Sequence, residues 1–156
     1  MRLLALTVFA GGMLLIAAPE AHAGTCWDNG CDGQDPMVTG CYEDAYLLKR
    51  VTIPVYWPST GDWVKGGTLD VLYSPGCASQ WTQIVPSPGA CGVGFCPIEP
   101  SIYRWAQGDH YEYYAGENPR WGDGAESLMV GAHHAQATSR GCLTGYVGDT
   151  CVSTSA

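Results

Sequence analysis

Apolar and polar residues alternate in short runs, and glycines and prolines spread along the whole chain punctuate those runs. A period of two over a few residues is the mark of a strand with one buried face, whereas a helix needs a longer run at a period near 3.6. The runs that qualify as strands are Lys49–Trp57 (KRVTIPVYW), Thr68–Tyr73 (TLDVLY), Ser79–Val85 (SQWTQIV), Ile102–Trp105, Tyr111–Tyr114 and Ser127–Val130. Within Thr68–Tyr73, Leu69, Val71 and Tyr73 alternate with Thr68, Asp70 and Leu72, which predicts one buried and one open face. Pro54 lacks a ladder donor and demotes its run to an edge or a bulge. Lys65-Gly66-Gly67 reads as the turn of a hairpin joining Gly61–Val64 to Thr68–Tyr73. The only helical feature expected is a short turn near Asp44–Leu48. The fold class predicted is mostly β: a small antiparallel sandwich or partly open barrel with little helix.

The N-terminus does not share this pattern. Arg2 precedes an apolar run, Leu3–Ala18, that is short for a spanning helix, which needs roughly 20 apolar residues. Pro19 and Glu20 end the run, and Ala21-His22-Ala23 has the small-x-small form of a signal-peptidase site. Residues 1–23 are therefore expected to be a signal peptide and residues 24–156 a single secreted domain, extracellular or wall-associated, with no membrane insertion after cleavage. Pro86-Ser87-Pro88-Gly89-Ala90 divides that domain into a core over 24–85 and a C-terminal extension over 86–156.

Charge narrows the partners. With 7 Lys and Arg against 15 Asp and Glu the net charge is −8, and the leader carries one residue of each sign, so cleavage leaves the balance unchanged. A surface this acidic repels phosphate backbones and anionic lipid, which argues against nucleic acid and membrane surfaces. Neutral polymers, cations and proteins remain.

All eight cysteines (Cys26, Cys31, Cys41, Cys77, Cys91, Cys96, Cys142 and Cys151) follow the expected cleavage site. An even set in an exported chain reads as a disulfide framework, and the absence of any C-x-x-C argues against a zinc site. Short separations favour Cys91 with Cys96 and Cys142 with Cys151, while Cys26, Cys31, Cys41 and Cys77 pair among themselves in an order the sequence leaves open.

Cys31-Asp32-Gly33-Gln34-Asp35-Pro36, Thr39-Gly40-Cys41, Asp44-Ala45, and Tyr73-Ser74-Pro75 with Cys77 and Trp81 fall in order along the chain. In these residues, over about Cys26–Val85, it resembles the YjfA-like family of secreted bacterial domains of unknown function. The resemblance implies export and a β-rich, disulfide-bonded fold, and it brings no activity with it. Two positions where that family often carries basic residues are Leu72 and Gln83 here, which weakens any anion-binding role, and the residues after Val85 lie outside the resemblance.

Each residue set that could bear chemistry also has a plainer role. Asp28, Asp32 and Asp35, interleaved with Gly30 and Gly33, are weak metal candidates, and calcium is the one ion such a loop would suit. Gly30 and Thr39 fall where an EF-hand loop needs ligands, so Asx-turn chemistry is the favoured reading and no cofactor is expected. His133 and His134, with His110 and Asp109, would suit zinc or copper only if the backbone bent to bring adjacent histidines to one face. A triad of Ser127, His133 or His134, and Asp109 or Asp123, is one hydrolytic reading; a carboxylate pair of Glu112 with Glu117 or Glu126 is another. No nucleophile elbow or other spacing promotes either.

The aromatics are the more suggestive set. Trp81 and Trp105 read as core, whereas Trp121 in a glycine-rich loop, together with Tyr111 and Tyr113, reads as a ligand surface able to stack on sugar rings or on a partner's apolar anchor. The function expected is thus a non-catalytic extracellular module that binds a cell-envelope polymer or a protein partner. The alternatives are a hydrolase built on the His133/His134 region and a disulfide-stabilised inhibitor or effector.

Overall fold

The protein was analysed as a computed structural model that describes residues 24–88, 98–104, 125–132, 137–145 and 148–155. The fold is antiparallel β, as the pattern predicts. Among the described residues the elements are one turn of 3-10 helix, Asp28–Cys31, and strands β1 (Tyr46–Trp57), β2 (Asp62–Ser74), β3 (Ser79–Pro86), β4 (Ile98–Arg104), β5 (Ala125–Glu126), β6 (Val130–Gly131), β7 (Ala137–Gly145) and β8 (Gly148–Ser155). One sheet runs β1-β2-β3, with β5 and β6 sharing the far edge of β3, and the other runs β4-β7-β8.

The two sheets meet on a core built by alternation. Ile53, Val55, Leu69, Ile84, Ala125 and Leu143 form its largest apolar cluster, and Ile102, Val130 and Ala137 form a smaller one. Thr82 Oγ1 on β3 donates to the Ser101 carbonyl on β4 at 3.1 Å, so the one buried hydroxyl that faces the second sheet there is satisfied across the layer.

The opposite face of the first sheet is partly covered by the N-terminal segment. Trp81 lies there, fully buried among Cys31, Cys41, Cys77 and Met129, with Tyr42 at 5.9 Å between ring centroids. The expectation of a core Trp81 is met. Both faces of Thr68–Tyr73 are consequently shielded over part of their length: Thr68 and Asp70 are buried as well as Leu69 and Val71. The predicted open face is corrected by this added cover.

The hairpin turn is not at Lys65-Gly66-Gly67. These residues continue β2, and the chain reverses at Pro58–Gly61, where Gly61 has φ +74°. The glycines serve close approach instead: a Cβ on Gly66 would stand 2.4 Å from Val55 Cγ1. The register steps from Ile53↔Gly67 to Pro54↔Lys65, so Gly66 is the extra residue of a bulge opposite Pro54. Pro54 thus sits at an edge strand and a bulge together.

Three smaller corrections follow from local chemistry. Asp44 ends a turn and Tyr46–Leu48 already belong to β1, with no helical turn, and the Asp44 carboxylate accepts from Ser74 Oγ and the Gly76 N–H in the β2–β3 loop. Ser127–Val130 is not one strand: Ser127–Met129 interrupt β5 and β6. The first of these residues accepts the Thr82 N–H through its Oγ (3.0 Å) and so bridges the gap in the edge pairing. Strands β7 and β8 carry threonines and a valine but no aromatic and few large apolar residues, and the pattern does not predict them. Trp105 and the predicted strand Tyr111–Tyr114 lie outside the described residues.

Three disulfides are described, Cys26–Cys31, Cys41–Cys77 and Cys142–Cys151, which fixes the pairing that the sequence leaves open. Cys142 and Cys151 stand directly opposite in the β7–β8 ladder. Such bonds indicate an oxidising environment. Cys91 and Cys96 lie outside the described residues.

Candidate functional site

The outer face of the first sheet carries a row of polar side chains in register, from the exposed Arg50 to Gln83 and Glu126, where Tyr42 of the N-terminal cover reaches the row. Arg50 on β1 pairs with Asp70 on β2, Asp70 with Gln83 on β3, and Gln83 with Glu126 on β5. Partners directly opposite in an antiparallel ladder share a face, so the four side chains form one line across four strands.

Hydrogen bonds tie the line together. Arg50 grips Asp70 bidentately, Nε to Oδ1 at 2.7 Å and Nη2 to Oδ2 at 2.6 Å. The pair is asymmetric: the Asp70 side chain is 3% exposed and that of Arg50 57%. The Asp70 carboxylate raises the pKa of the Arg50 guanidinium, by hydrogen bonding first and charge second. At the other end Gln83 Nε2 donates to Glu126 Oε1 at 2.8 Å and reaches Tyr42 Oη at 3.4 Å. Burial raises the Glu126 carboxyl above the ordinary carboxylate range, with the charge of Asp35 adding to it.

Along the same face, toward the β1–β2 turn, stand Tyr56 and Trp63. They are opposite in the ladder and meet edge-to-face at 5.7 Å between centroids, and Trp63 is 64% exposed. Six residues of strand separate Arg50 from Tyr56, which at about 3.3 Å per residue spreads the polar row and the aromatic pair over roughly 20 Å. Rigid strands hold both sets in place, so a ligand would meet a preformed surface.

The acidic loop is engaged differently. Asp32 receives Arg104, Nη1 to Oδ1 at 3.2 Å and Nη2 to Oδ2 at 2.8 Å, and also the Gly131 N–H on Oδ1 at 2.7 Å. The Arg104 side chain is 2% exposed and also bonds Asn29 Oδ1 at 2.8 Å, so this ion pair locks the 3-10 turn to β4 and β6. Asp35 Oδ1 accepts the backbone N–H of Met37 at 2.7 Å and of Val38 at 3.3 Å, so the Asx-turn geometry falls at Asp35-Pro36, where a plain turn start is expected, and not at Asp32. Asp28 opens the 3-10 turn at φ 46°. The carboxylates of Asp32 and Asp35 therefore stand in separate hydrogen-bond roles.

Ser127, the candidate nucleophile, is buried and donates its hydroxyl to the Leu128 carbonyl at 2.9 Å. His110, His133, His134, Asp109, Asp123, Glu112 and Glu117 lie outside the described residues, as do Tyr111, Tyr113 and Trp121. The aromatic site that the sequence reading did not single out is the Tyr56–Trp63 pair. Its signal was present, since a turn at Pro58–Gly61 puts those two residues opposite each other, and the same register puts Arg50 opposite Asp70.

No curated protein sequence and no solved structure matched the chain. A family model, described as a protein of unknown function (DUF2690), matches residues 29–155. The match runs well past Val85, where the motif resemblance stops, and so takes in strands of both sheets. It lends no support to the YjfA-like name. With the match covering most of its length, the chain belongs to the DUF2690 family of proteins of unknown function.

Proposed function

We propose that the protein is a non-catalytic, secreted recognition module and that the outer face of its first sheet binds a neutral polysaccharide of the cell envelope. The observation that carries this reading is the Tyr56–Trp63 pair held on paired strands beside a row of hydrogen-bonding side chains. An aromatic ring offers its face to the C–H groups of a sugar, and bidentate or amide side chains address the hydroxyls. The net charge of −8 favours an uncharged polymer over an anionic one. Export through the leader at 1–23, with 24–156 as the working domain, places such a module where the polymer is, and a disulfide-bonded fold suits that compartment.

Retention on insoluble neutral wall polysaccharide tests the reading. The native chain is expected to be retained above a bovine albumin control, and Trp63→Ala to weaken retention by about tenfold, the effect of losing a central aromatic anchor. Because Trp63 is exposed, its removal leaves the melting temperature unchanged, so lost binding cannot be ascribed to unfolding. Retention of the native chain no better than albumin overturns the proposal.

A further inference from the structure

The N-terminal cover contains a second arrangement, independent of the binding face. The sulfur atoms of Cys26, Cys31, Cys41 and Cys77 all lie within 4.8 Å of one another, and they belong to two different disulfides. Cys26 Sγ stands 3.7 Å from Cys41 Sγ, at contact distance between one disulfide and the next. Access to the two bonds is unequal. Cys41 and Cys77 are buried, whereas Cys26 is partly exposed. Gly24 lies against the Cys41–Cys77 bond so closely that a Cβ there would stand 2.2 Å from Cys77 Sγ and 2.8 Å from Cys41 Sγ. An external thiol is therefore kept from Cys41–Cys77, while the Cys26 sulfur stands beside Cys41 and becomes an internal thiol there once its bond to Cys31 opens.

From this we infer that the four cysteines form a thiol–disulfide exchange site, in which a dithiol substrate enters at Cys26–Cys31 and the opening is passed inward to Cys41–Cys77. The first thiolate of the dithiol attacks Cys26 Sγ, forming a mixed disulfide and expelling the Cys31 thiolate, which takes a proton. The second thiol of the dithiol, as thiolate, then attacks the dithiol's own sulfur in the mixed disulfide. The dithiol leaves as a cyclic disulfide and the Cys26 thiolate is released. That thiolate attacks Cys41 Sγ: the Cys26–Cys41 bond forms, the Cys41–Cys77 bond breaks, and the electron pair passes to Cys77, which is protonated. The net change is one disulfide reduced and one dithiol oxidised, with the surviving bond moved from Cys41–Cys77 to Cys26–Cys41. The bond lost is the one that ties the N-terminal cover to the β2–β3 loop beneath which Trp81 is buried, so exchange loosens that cover.

The test is to locate the thiol in the Cys31→Ser chain, which leaves Cys26 without its partner and needs no reductant. Alkylation under native conditions followed by peptide mass mapping is expected to place the label on Cys77, with a Cys26–Cys41 crosslink recovered. Label confined to Cys26, with Cys41–Cys77 intact, overturns the inference. Reduction kinetics of the natural chain provide a second reading that does not depend on that variant. In dithiothreitol, Cys41–Cys77 is expected to open about tenfold faster in the natural chain than in the Cys26→Ala/Cys31→Ala chain, where the relay is absent. Equal rates in the two chains overturn it as well.

Discussion

At the scale of single residues, the Asp32–Arg104 and Arg50–Asp70 ion pairs differ in what surrounds them, and that difference predicts their energetics. Asp32→Ala removes the carboxylate from the Arg104 guanidinium, which keeps its bond to Asn29 but sits in a site that is 2% exposed. Removing one partner of a buried pair costs about 3–5 kcal/mol. Asp70→Ala takes the carboxylate from Arg50 alone, whose side chain turns to water, and the expected cost is well below that of Asp32→Ala. Urea denaturation of the two variants checks the ranking, and an Asp70→Ala loss as large as that of Asp32→Ala would contradict it. Ala78 adopts φ 47° in the β2–β3 loop. A left-handed alanine is strained by about 1–2 kcal/mol, and glycine gives part of that back as unfolded-chain entropy. Ala78→Gly is expected to raise stability by up to about 1 kcal/mol, read in the same denaturation experiment.

Glu126 supplies a pH dependence whose sign is set by its raised pKa. A carboxyl that holds its proton more tightly folded than unfolded stabilises the fold fully below the ordinary value of 4.5. That contribution is lost as pH rises through the raised folded value. Glu126→Gln keeps a carbonyl for Gln83 and has nothing to titrate. Stability measured across this interval is expected to decline less in the variant than in the native chain, and parallel curves would show that burial of Glu126 contributes nothing.

At the scale of elements, strands were legible where β-branched and aromatic residues alternated between breaks, as in β1 and β3, and the predicted edge character of Pro54 appears together with its bulge. The hairpin turn was misplaced because a glycine pair has two uses, reversal and close approach, and the sequence does not say which. Space decides it: Gly66 lies against Val55. Gly66→Val is accordingly expected to cost about 1–3 kcal/mol by overpacking, in contrast to the small effect it would have in an exposed turn. Strands β7 and β8 escaped a propensity reading because their apolar content is confined to a few positions, such as Ala137 and Leu143, and the rest are small or polar. Pairing Cys142 with Cys151 was nonetheless readable from their spacing, and that bond lies across the very ladder the strand signal missed. The candidate face was harder to see, since its four polar residues come from four strands and only the register brings them into line.

At the scale of the whole molecule, the Cys41–Cys77 disulfide joins a two-sheet core to an N-terminal cover, and Cys26–Cys31 closes a small loop within that cover. Closing a 36-residue separation through Cys41–Cys77 restricts the unfolded chain by about 4 kcal/mol, against about 2 kcal/mol for the 5-residue separation of Cys26–Cys31. The cover shields Trp81 and reaches Gln83 through Tyr42, and it leaves Arg50 and Trp63 of the same face exposed, which gives that part its proposed role. The direct measurement is nuclear magnetic resonance mapping of the isotopically labelled native chain titrated with soluble fragments of neutral wall polysaccharide. The account predicts saturable shifts centred on Tyr56, Trp63, Arg50, Asp70 and Gln83, with β7 and β8 unchanged. Shifts centred on β4, β7 and β8, or none at saturating fragment, would contradict it.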